Sequence, residues 1–155
     1  MSPPDLAVLA EGGLPGGPRW VLRAGGTSSD FDTLLEVIHS DGRRDGGGLG
    51  GQPLSPGSLM NAFAGYASAT ETRQVLVRAD PRVARVRVHY ISGEQPCLLD
   101  LPPVAARADL GLVFFAAVLP PPATLASLEA VDVHGQVLEQ EDLSSAEDGF
   151  ARRLP

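Results

Sequence analysis

The sequence predicts an all-β protein, an antiparallel sandwich of two sheets, with a small β-barrel as the alternative closure. Three observations lead there. Val86, Val88 and Tyr90 alternate with Arg85, Arg87 and His89, the period-2 signature of a strand with one buried and one wet face. Leu112 to Leu119 is an eight-residue apolar run stopped by three prolines, short enough to be a strand covered on both faces. Gly (18) and Pro (14) punctuate the chain so often that few windows remain for helices, which favours short strands joined by turns.

The elements follow in chain order. Residues 5–10 form a first short strand, and Gly12 to Pro18 a turn. In the strand Arg19–Arg23, Trp20 and Leu22 fall on one face; the only tryptophan is expected to pack in the core. Thr33 to His39 is the next strand and closes on Ser40-Asp41-Gly42, a hairpin signal. Residues 42–58 hold seven glycines and two prolines and read as a long loop, either functional or without structure. Leu59 to Tyr66 resumes as a strand.

The stretch from Arg73 to Leu101 is the centre of the reading. Asp80-Pro81 and Ser92-Gly93 bound its segments, so three antiparallel strands are expected in succession, the third ended by Pro102-Pro103. Leu125 to Val133 fits a short helix or a strand; the strand is preferred, with a His134-Gly135 turn before Val137-Leu138. Residues 1–140 are taken as one β domain and 141–155 as an acidic tail, in which Ser144 and Glu147 form a possible capping box for a short helix from Ser145 to about Arg153. The spacing of turn signals resembles that of immunoglobulin-like sandwiches. The resemblance is one of architecture alone, because the Cys…Trp…Cys pattern of true immunoglobulin domains is absent.

Composition narrows the function classes. A net charge of −7 argues against general binding of nucleic acid or anionic membranes. All twelve basic residues are Arg, which a GC-rich coding bias explains without any function. The single cysteine, Cys97, suits a reducing compartment. The N-terminus lacks a basic, apolar leader, and no apolar window approaches the roughly 18 residues of a spanning helix. A cytoplasmic protein is expected.

No residue is expected to be catalytic, and no cofactor or metal is expected. His39, His89 and His134 have no ligand spacing such as HxH or HxxxH, and Arg85 and Arg87 oppose a cation at His89. Cys97 has no positive neighbour to activate it and reads as a small buried hydrophobe. Ser58, Ser68 and Ser92 lie in no Gly-x-Ser-x-Gly elbow. The Gly-rich loop lacks the Gly-Lys-Ser/Thr of a phosphate cradle and carries Asp45.

The charge distribution carries more weight. Residues 73–89 hold five arginines, Arg73, Arg78, Arg82, Arg85 and Arg87, against one acid, Asp80. With His89 they are expected to line one outward face. Either the chain's own acids neutralise it, notably Glu139, Glu141 and Asp142, or an acidic protein partner docks there, with Arg offering bidentate contacts. The functional expectation is a non-catalytic binding or scaffolding module that engages an acidic partner. The alternative is a small-molecule-binding barrel or small enzyme with its ligand near the Gly-rich loop. Homo-oligomers through weakly charged edge strands, 6–9 or 59–63, are a further expectation.

Overall fold

The computed structural model describes residues 6–13, 17–67 and 72–143, and among these the regular structure is β, with one 3-10 turn and no α-helix. The first sheet is a meander of β1 (Ala7–Gly13), β2 (Arg19–Gly26), β3 (Phe31–Ile38) and β4 (Arg44–Leu49). The second contains β5 (Met60–Ala67) and β6 (Thr72–Ala79), then β10 (Leu112–Leu119) and the short β9 (Ala105–Arg107), in the order β5-β6-β10-β9. The third has the order β12-β11-β7-β8, from β7 (Arg85–Ser92), β8 (Gln95–Leu101), β11 (Thr124–Val131) and β12 (Val137–Asp142). Every pairing is antiparallel.

The all-β sandwich is therefore correct, but its layers number three, and the barrel alternative falls because the sheets stay open. The second sheet is the middle layer. Val75, Val77, Ala79, Phe115, Ala117 and Leu119 join Val86, Val88, Leu125 and Leu128 of the third sheet in one core cluster. The intervening residues Leu76, Leu112, Phe114 and Ala116 join Leu22, Ala24, Phe31 and Leu35 of the first sheet in another. Period-2 side-chain geometry sends alternate residues to opposite faces, so a strand apolar at every position has to be covered twice. β10 is covered in that way, as its uninterrupted apolar run predicts.

The Gly-rich segment departs from expectation. Residues 44–49 are an edge strand paired with β3, and Ser40-Asp41-Gly42 is the hairpin turn that joins them. His39 N–H donates to Arg43 O at 2.8 Å, and Gly42 takes φ +89°, a left-handed conformation that glycine adopts without strain. The glycines have a packing reason. A Cβ at Gly47 would overlap the Phe63 ring of β5, and one at Gly48 would strike the Thr33 carbonyl. Backbone without side chains lets the first sheet's edge lie close against the middle sheet.

At the other end, the His134-Gly135 turn stands as expected: Asp132 Oδ1 accepts from His134 N–H and Gln136 N–H, both at 2.9 Å, and Gly135 has φ +84°. The acidic residues Glu139, Glu141 and Asp142 belong to β12, and Leu143 beyond them is buried, so the sheet runs past residue 140. The helix expected from Ser145 lies outside the described residues. β9 and the 3-10 turn Ala108–Leu110 have no counterpart in the sequence reading.

Candidate partner-binding face

β7 is an inner strand of the third sheet, flanked by β11 and β8. Val86 and Val88 point into the core, which leaves Arg85, Arg87 and His89 on the outward face. Register then decides their neighbours. Arg87 lies opposite Asp100 of β8 and Glu129 of β11, and His89 lies opposite Leu98 and Ser127. His89 Nε2 meets Glu129 Oε1 at 2.8 Å, and Arg85 meets Asp100 at 3.7 Å. The positive row is thus balanced by cross-strand carboxylates from its own sheet, Asp100 and Glu129. This is the internal neutralisation weighed above, supplied by acids other than Glu139 and Glu141.

Arg82 sits in the turn leading into β7, exposed, with its Nε 3.0 Å from Asp80 Oδ1; its backbone N–H also donates to that oxygen at 2.9 Å. The Arg82 guanidinium, and then its N–H, hold the Asp80 carboxyl below its ordinary range. Arg73 is half-buried at the start of β6 in the middle sheet, opposite Leu119 of β10.

Arg78 corrects the expectation of a single Arg-lined face, because it is 0% exposed. Its Nη1 donates to Phe31 O at 2.6 Å and to Thr33 Oγ1 at 3.0 Å; its Nη2 donates to Gly50 O at 2.7 Å and Gln52 O at 2.9 Å. The guanidinium also lies 5.8 Å from the Phe31 ring centroid, within cation–π range. Burial lowers its pKa, opposed by Asp32. Arg78 therefore ties β3 and the chain after β4 to the middle sheet. The six predicted residues resolve into three on one face (Arg85, Arg87, His89), one at its margin (Arg82) and two in another layer (Arg73, Arg78).

The sequence reading missed the other half of that face. Ile91 is 41% exposed and Leu98 56%, and Ile91 lies opposite the exposed Pro96. The available signal was the parity of β8: Pro96, Leu98 and Asp100 share the side of Arg87 and His89, whereas Cys97, Leu99 and Leu101 share that of Tyr90, Val88 and Val86. In the run Cys97-Leu98-Leu99 all three resemble core residues, and only register separates them.

The remaining candidates lie apart. His39, at the end of β3, is buried with Nε2 2.6 Å from Asp45 Oδ2, while its Nδ1 has no protein partner. His134 is in the β11–β12 turn, so the three histidines do not converge. Among the described residues no three His, Cys, Asp or Glu side chains gather as a metal would need. Cys97 is half-buried, its Sγ 3.5 Å from Gln95 O. Beside it, burial and then Cys97 raise the pKa of Tyr90. The Phe63 ring packs directly against Gly47 of the Gly-rich segment. No protein-family model, curated protein or solved structure matches this chain.

Proposed function

We propose that the chain is a non-catalytic protein-binding module and that the outward face of β7 and β8 is its docking surface. The observation that carries the reading is adjacency. An exposed apolar patch, Ile91, Pro96 and Leu98, abuts a row of charges already paired with one another. Interfaces are commonly built this way, with apolar anchors that desolvate fully and a polar rim that sets register and excludes water. Arg82 and Arg85 keep exposed guanidinium groups at the rim, each beside a carboxylate of its own, Asp80 and Asp100. An acidic partner engages them by exchanging with these weak exposed pairs, which sets register more than it adds affinity.

The single cysteine supports a reducing compartment, and we place the protein in the cytoplasm. No described helix is long and apolar enough to cross a membrane.

The test is co-purification from the native host with Leu98→Ser, Ile91→Ser and Arg85→Ala variants. Partners that depend on this face should be lost with Leu98→Ser and weakened with Arg85→Ala, while the melting temperature stays near that of the parent protein. A partner set unchanged in all three variants defeats the proposal.

A further inference from the structure

Each open sheet presents two edges, and an uncovered edge is a template for another strand. β4 and β5 lie against one another through Gly47 and Phe63. β9 has three residues, β12 presents Glu139, Glu141 and Asp142, and β1 is broken by a bulge between Val8 and Ala10. β8 differs. It pairs with β7 in one unbroken register from Gln95 to Leu101 and carries a single charge, Asp100. The chain on either side of it, Gly93-Glu94 and Pro102-Pro103, is exposed.

The hairpin turn fixes which backbone groups of β8 are free. Gly93-Glu94 is a two-residue loop with Gly93 at φ +64°, so Ser92 and Gln95 form the closing hydrogen-bonded pair. Bonded and non-bonded pairs alternate from there. Cys97, Leu99 and Leu101 therefore bond to β7, whereas Pro96, Leu98 and Asp100 turn their backbone groups away from it. Among the described residues no other strand or loop backbone bonds to those three.

We propose that β8 is where a second copy of this chain adds, antiparallel and two-fold symmetric about Leu99. Proline and charge select the axis. An axis at Cys97 or at Leu98 sets Pro96 inside the new ladder, opposite Leu98 or Asp100 of the second copy respectively, where it has no N–H to donate. An axis at Asp100 sets two carboxylates directly opposite one another, a destabilising like-charge pair. The axis at Leu99 avoids both. Leu98 of each copy then exchanges both backbone bonds with Asp100 of the other. Pro96 falls opposite Pro102, past the last of these bonds.

Side chains agree with this register. Leu99 is half-buried at the margin of the core shared with the middle sheet. About the axis the two Leu99 residues form a close, non-hydrogen-bonded pair, with Cα atoms about 4.5 Å apart. Cys97 lies opposite Leu101 on the same side, so the apolar layer continues from one copy into the next. On the outward side each Asp100 keeps its own Arg85 at 3.7 Å and Arg87 opposite. The contact uses the edge of the sheet, and it stands whether or not the outward face docks a partner.

Sedimentation velocity of the purified full chain, from low micromolar to near-millimolar concentration, should show a monomer–dimer equilibrium. Leu98→Pro removes an N–H that faces away from β7, so the fold is retained while half of the new donors are lost. It should raise the dimer dissociation constant about tenfold or more. Cysteines read the axis directly. With Cys97→Ser removing the native thiol, Leu99→Cys should give a disulfide-linked dimer under oxidised glutathione, because that pair has the Cα separation a disulfide needs. Leu98→Cys and Asp100→Cys in the same background lie diagonally across the axis from their counterparts, about 7–8 Å away, and should not cross-link. A monomer at every concentration overturns the proposal. So does a dimer that Leu98→Pro leaves unweakened, or a disulfide that forms as readily at position 98 or 100 as at 99.

Discussion

Arg78 Nη1 donates to the carbonyl oxygen of Phe31 at 2.6 Å, joining the middle sheet to the first across a core in which both residues are fully buried. Together with the bonds to Thr33, Gly50 and Gln52, this places a positive charge among oxygen dipoles instead of beside a carboxylate. Two of the acceptors, Phe31 O and Thr33 Oγ1, lie in the core, and the other two belong to the exposed residues Gly50 and Gln52 at its margin. The arrangement also explains why the chain after β4, Gly50 to Gln52, has a defined position although it has no ladder of its own.

Arg78→Met should lower unfolding stability by about 2–4 kcal/mol, because the apolar chain refills the space but forfeits the four hydrogen bonds, two of them inside the core. Arg78→Lys keeps the charge and loses the fork geometry, and should cost about 1–3 kcal/mol. Urea unfolding followed by Trp20 fluorescence measures both. Equal stability of all three proteins would mean that the guanidinium bonds are not formed in solution.

Gly47→Ala should destabilise by about 1–3 kcal/mol, since the added methyl meets the Phe63 ring. The same change in a Phe63→Leu background should cost distinctly less, and a double-mutant cycle reads the difference. Additive costs would show that the ring does not lie on Gly47.

Glu141 on β12 supplies a pH dependence. Burial, and then the nearby Glu139, raise its carboxyl pKa. The folded chain therefore holds this proton more tightly than the unfolded chain. The contribution is full below the unfolded pKa and is lost as pH rises through the folded one. Glu141→Gln should match the parent protein in acid and exceed it near neutrality by roughly a few tenths of a kcal/mol, a small figure because the group is only half-buried. Unfolding curves at the two pH values decide it, and a variant less stable at neutral pH contradicts the assignment.

Asp80 has the opposite sign. Its pKa is lowered by the Arg82 guanidinium and N–H. That stabilisation is present above the unfolded carboxylate pKa and lost as pH falls through the folded one. Asp80→Ala should cost about 0.5–1 kcal/mol near neutrality and progressively less on acidification. A cost that does not vary with pH would assign the effect to the turn backbone alone.

Much of the layering was legible where side chains carry the signal. β7 alternates cleanly, and β10, apolar throughout, announces a strand covered on both faces. The third layer was not legible because β6 mixes Gln74 and Arg78 into a buried face, and a polar residue in the pattern suggests water. β4 was invisible for a different reason: three consecutive glycines have no hydrophobic period, and their fitness for a strand depends on Phe63 and Thr33, distant in sequence. Of the candidate face, Arg85, Arg87 and His89 were readable from parity. Leu98 was not, since its exposure depends on a register that only the paired strand fixes. Arg78 shows the same limit, because composition locates an arginine and only the stacking of sheets decides which side of the core it enters.

The most direct measurement is arginine-specific labelling of the native protein with phenylglyoxal, read out residue by residue by mass spectrometry. Arg82 and Arg85 should react readily, and Arg78 should stay unmodified until denaturant unfolds the chain. Modification of Arg78 in the folded protein at the rate of Arg85 would contradict the three-layer core and return its guanidinium to the surface.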